Sequence, residues 1–156
     1  MMNKKMQRIY KKAITSKITL ELSEYTQLFF PCIKKIYDCV ILSCDNQKDL
    51  ETKFESKIKF LGSKEYYEVS ENEILVNMYL KETDSVLEGV QLSIIAIELW
   101  KEQLKILCKG DKFCYIMSCD EMKNIILRFH KIRNDSDLWV DRNVQNYKEA
   151  IAYFIY

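Results

Sequence analysis

The chain has a single histidine, His130, two residues after Arg128 and two before Ile132. On a β-strand this spacing puts all three side chains on one face. An imidazole beside a guanidinium suits phosphodiester cleavage, with Arg128 holding phosphate and His130 moving a proton. That chemistry needs a second acid or base, a Tyr or Glu from elsewhere in the chain. Cys114 and Cys119 offer a thiol alternative, paired with His130 across a hairpin. Cys119 lies near the turn and is expected to be accessible, but no cation beside it lowers its pKa, and Asp120 would raise it. The plainer reading is a half-exposed structural histidine among buried thiols.

Other reactive constellations are missing. Cys32, Cys39, Cys44, Cys108, Cys114 and Cys119 form no C-x-x-C pair, so the usual zinc spacings are absent. The chain holds only 3 glycines, none near another, which excludes a Gly-rich phosphate loop. It contains neither G-x-S-x-G nor H-E-x-x-H. No metal or cofactor is expected.

Two acidic-aromatic stretches point instead to binding. Glu65, Tyr66, Tyr67, Glu68, Glu71 and Glu73 form the first; Asp135, Asp137 and Trp139, with Asp141, form the second. Carboxylates speed encounter with a basic surface, and Tyr and Trp serve as rigid anchors. The bland alternative is a polar loop over core aromatics.

The length of 156 residues fits one domain, 1–156, with enough core to need no disulfide staples. The formal net charge of +1 argues against a dedicated nucleic-acid binder. A basic run from Lys4 to Lys17 nevertheless leaves an N-terminal nucleic-acid-binding arm as an alternative. No segment has the roughly 18 apolar residues a membrane span needs, and no apolar export run follows the basic start. The expected compartment is the cytoplasm, where disulfides are not favoured.

Periodicity supplies the elements. Ser85–Cys108 is the central helix, with Val90, Ile94, Ile97, Trp100 and Leu104 at helical spacing and a Ser85/Glu88 capping box. A basic helix over 3–15, a short strand at Ile18–Leu22 and a clean amphipathic helix over 47–61 precede it. Tyr25 to Val40 carries a helical stripe that Pro31 must kink or divide, although Tyr37–Ser43 also suits a strand. Ser63–Val69 reads as a loop. Residues 71–82 read as a helix opened by Ser70 and Glu73, with a strand as the rival. Phe113–Cys119 and Ile125–Arg133 read as an antiparallel hairpin, Asn134–Asp137 as a turn and Leu138–Val140 as a third short strand. Asn143 would cap a last helix through Tyr147, Ala150, Ile151 and Phe154. The expected fold is α+β, a helical N-terminal portion on a small antiparallel C-terminal sheet.

The C-terminal third, about 45 residues of hairpin, Asp137-Leu138-Trp139 and the Tyr147–Ile151 segment, resembles small immunity proteins of bacterial toxin–immunity systems, including contact-dependent growth inhibition. This resemblance implies a cytoplasmic, non-catalytic inhibitor that binds one cognate toxin domain, many such toxins being nucleases, with no direct nucleic-acid or membrane contact. The two acidic-aromatic stretches are then the candidate contact residues, across an interface of about 1,200–2,000 Å².

Overall fold

The computed structural model describes residues 1–81, 85–134 and 138–156. The architecture is the expected α+β: helices dominate the N-terminal part and an antiparallel four-stranded sheet the C-terminal part. Helix α1 (Lys4–Thr15) begins at Asn3, whose side-chain oxygen accepts from Met6 N at 2.9 Å. Its buried residues are Met6 and Ala13. Residues Met1–Asn3 run along the sheet edge, with Asn3 N on Ile151 O and Tyr153 N on Met1 O.

Pro31 divides the next stretch more sharply than a kink. Ile18–Leu22 forms no strand; a 3-10 turn at Leu22–Tyr25 leads into the single-turn helix α2 (Thr26–Phe29). The chain then turns extended, because a residue before proline avoids helical backbone. A hairpin follows, β1 (Ile33–Ile36) with β2 (Cys39–Leu42), turning at Tyr37 with φ 50°. Helix α3 (Gln47–Leu61) has the predicted bounds, with Asn46 capping Asp49 N and Gly62 stopping it at φ 77°.

Ser63–Val69 is not a loop. Ser63 accepts from Tyr66 N at 3.2 Å and opens helix α4 (Lys64–Glu71). Ser70 therefore lies inside a helix rather than capping one. Residues 74–79 are neither of the predicted alternatives alone. A two-residue strand β3 (Ile74–Leu75) passes into a 3-10 turn at Val76–Tyr79. Asn77 pins this turn, accepting from Ile125 N at 2.7 Å and donating to Lys123 O at 3.1 Å.

The central helix α5 (Val86–Leu107) buries Val90, Leu92, Ala96, Ile97, Trp100 and Leu104. Trp100 Nε1 donates to Leu28 O at 2.8 Å, which fixes α2 on it. Ser85 makes no side-chain cap bond, so the expected capping box is not formed. At Gly89 a Cβ would meet Ile125 Cδ1 at 2.3 Å, so glycine is what allows the helix to lie this close to the sheet.

That sheet has the order β3-β5-β4-β6, with β4 (Lys112–Cys119), β5 (Ile125–Ile132) and β6 (Ala150–Ile155). The predicted hairpin is present, with Tyr115 opposite Phe129 and Met117 opposite Leu127. The predicted last helix is a strand: Asn143 caps only a 3-10 turn at Val144–Asn146, and Ile151, Tyr153, Phe154 and Ile155 suit a pleated surface. Leu138–Val140 is not a strand either. Trp139 and Val140 instead join Val144 over the outer face of the sheet, above Cys114, Ile116, Ile151 and Tyr153. The inner face, with Tyr115, Met117, Leu127, Phe129 and Ala152, packs in the main core with Trp100. Among the described residues, no helix is long and apolar enough to cross a membrane.

Candidate functional site

Two residues predicted as contact groups turn out to be enclosed. Glu68 and Tyr67 are 0% exposed. Tyr67 packs in a small core with Ile36, Cys39, Ile41 and Leu50. Glu68 and Asn72, one helical turn apart, join the edge of β2 to the edge of β5. Glu68 Oε1 accepts from Val40 N at 2.7 Å and Oε2 from Lys131 N at 2.9 Å. Asn72 accepts from Leu42 N at 2.7 Å and donates to Val40 O at 2.9 Å and Phe129 O at 3.0 Å. Two side chains thus stand in for a missing strand between the hairpin and the sheet.

The charge of this region is balanced internally. Arg133 bonds both oxygens of Glu68 at 3.0 Å and Glu65 at 2.9 Å. Lys131 and Arg133 also reach Asp38 at 2.8 and 2.9 Å. Burial pushes the Glu68 carboxyl up, while Arg133 and the Val40 and Lys131 amides pull against it. Lys131, with Arg133, holds Asp38 well below the usual carboxylate range. Glu71 pairs with Lys57. The carboxylates of the first stretch therefore do not form a bare acidic patch.

Glu73 is the exception in placement. It is half exposed and receives both Nε and Nη2 of Arg128, at 2.9 and 2.7 Å. The same guanidinium lies over the Trp139 ring, 5.5 Å from its centroid. Arg128 thereby brings one member of each acidic-aromatic stretch to a single place. Asp135 and Asp137 lie outside the described residues. Beside Glu73 is a groove of about 490 Å³ whose lining includes Phe30, Pro31, Cys32, Cys44 and Glu71. Phe30 is 55% exposed at its rim, and Tyr66 is 53% exposed on α4. The groove lining is largely apolar, and its two carboxylates, Glu71 and Glu73, are paired with Lys57 and Arg128.

The reactive alternatives are placed differently. Cys114 is the cross-strand partner of His130 in the sheet register, so the thiol and imidazole are neighbours. Both are fully buried, and burial pushes the Cys114 thiol up to about 12. His130 Nδ1 lies 3.1 Å from Lys131 O, and Nε2 is 3.5 Å from Trp139 N. Cys119, expected to be accessible, is buried and pairs with Ile125 at the other end of the strand. Among the described residues, no three metal-binding side chains gather. The basic N-terminus is no loose arm either: α1 packs on α5 and β6.

Sequence reasoning passed over Arg128 as a bridge and Arg133 as a hub, because charge counting treats each sign by itself. The strand period does set Arg128 on the face opposite Leu127 and Phe129, but only the fold lays the Trp139 segment over that face. No curated protein and no solved structure matches the chain. A family model matches residues 1–155, and the chain belongs to the uncharacterized protein PM0498 family.

Proposed function

We propose that this protein is an immunity protein that neutralises a cognate bacterial toxin domain by stoichiometric binding in the cytoplasm, of the contact-dependent growth inhibition type. It acts by covering the toxin rather than by turnover. The observation that carries the reading is the convergence of Glu73, Arg128 and Trp139, with Glu73 also lining the Phe30-rimmed groove. Rigid aromatics with a preorganised guanidinium are the composition of interface hot spots. Because Glu65, Glu68, Glu71 and Glu73 already have cationic partners, the surface fits a toxin face of mixed polarity better than a strongly basic cleft.

Calorimetric titration with the toxin domain encoded beside it tests this. The expected result is a one-to-one complex of micromolar affinity or tighter, weakened at least tenfold by Trp139→Ala with the fold intact. No heat and no co-elution at micromolar concentrations would remove the proposal.

A further inference from the structure

Cys32 and Cys44 sit where the β1–β2 ladder runs out. Ser43 N donates to Cys32 O at 2.9 Å, one rung beyond the Ile33–Leu42 pair. Ser43 faces Cys32 across that bond with Cα atoms about 5 Å apart, and Cys44 is the next residue, about 3.8 Å along the chain, so the pair is within reach of a disulfide, whose Cα atoms stand about 4.4–6.8 Å apart. Cys44 has left the pleat, so its side chain is free of the alternation that would turn it away from Cys32. The Cys32 thiol is the foremost influence pushing the Cys44 thiol up, as befits two neighbouring side chains. Both cysteines are exposed and both line the groove. Cys39, Cys108, Cys114 and Cys119 are buried, and burial pushes Cys39 and Cys114 up to about 12. Those thiols are screened from oxidants and hold their protons.

We propose that Cys32 and Cys44 form a reversible oxidation site that closes to an intramolecular disulfide on contact with hydrogen peroxide. One thiol gives its proton to solvent, and its thiolate attacks a peroxide oxygen. The O–O bond breaks, one oxygen leaves as water after protonation, and a sulfenic acid remains. The second thiolate attacks that sulfur, the S–S bond forms, and the S–O bond breaks to release a second water. Two thiols lose two electrons in all and the peroxide gains them; a small thiol reductant returns the site to its starting state. The bond ties Pro31–Cys32 to Ser43–Cys44 and so fixes one wall of the groove. It does not depend on the proposed toxin binding.

Counting native thiols on the full chain with a chromogenic disulfide reagent tests the site. The expected result is two fast-reacting thiols before peroxide and none after, with both recovered by dithiothreitol. Intact mass should fall by two hydrogens, and peptide fragmentation should join Cys32 to Cys44 rather than to Cys39. Cys32→Ser and Cys44→Ser should each leave one fast thiol and show no two-hydrogen loss. Added oxygen without a cross-link, a covalent dimer, or a link to another cysteine would overturn the inference. The wild-type count and mass decide the matter even if a variant folds poorly.

Discussion

Glu68 shows how far a residue's role can depart from its type. A carboxylate in an acidic-aromatic stretch suggests a recognition surface, yet here each oxygen accepts one backbone N–H and one Arg133 N–H. Glu68→Gln would turn one acceptor into a donor facing two other donors. Its loss, as one partner of a buried ion pair, should cost about 3–5 kcal/mol, read as a lowered urea midpoint. A midpoint unchanged from the wild type would mean that the network is idle. Asp38 supplies a pH dependence. Its folded pKa is depressed by Lys131 and Arg133, so its stabilisation is present above the ordinary carboxylate range and lost as pH falls through the folded value. The wild type should melt above Asp38→Asn near neutrality, and the gap should close as pH drops below about 4. The side chain is about half exposed, so the gap should stay under about 1 kcal/mol. A gap that persists to low pH would assign the effect to packing.

At the scale of elements, strong periodicity was readable and weak periodicity was not. The stripes of α3 and α5 and the alternation of β4 with β5 are long enough to dominate their surroundings. α4 is a helix of 8 residues, too short for its own pattern to speak, and it holds because Tyr67, Glu68 and Asn72 bond or pack against strands distant in sequence. β6 has a helix-compatible spacing of Ala150, Ile151 and Phe154, but an open edge of β4 was available to pair with it. Two of the three residues that converge were legible in this sense: Trp139 and Glu73 were named as contact residues, while Arg128, which joins them, was considered as a phosphate ligand. The α5–β5 contact carries its own test. Gly89→Leu must drive a side chain into Ile125 and Leu80, and overpacking of this kind costs about 1–3 kcal/mol. Gly89→Ala should cost less, since Ile125 Cδ1 is the movable end of a side chain and alanine favours helix by about 1 kcal/mol. Thermal melts that rank Leu below Ala below the wild type would agree; a Leu variant equal to the wild type would not.

For the molecule as a whole, the main core and the small core around Tyr67 are separate apolar clusters. The link from α4 to β2 and β5 is largely polar, and polar links weaken together when one member is lost. Asn72→Asp removes two donors and places charge near Val40 O and Phe129 O. Amide exchange in β1 and β2 should accelerate in that variant by more than tenfold, while Tyr115 and Met117 in β4 stay protected. Uniform acceleration across both regions would mean that the protein opens as one unit.

The outer margin of β5 would ordinarily be an invitation to other polypeptides, since its unpaired amides and carbonyls can template a neighbour. Glu68 and Asn72 occupy the Lys131 amide and the Phe129 carbonyl on that margin, so neither group is open to a neighbouring copy. Loss of either group should therefore show up as turbidity on storage as well as in melting curves, with light scattering as the direct readout.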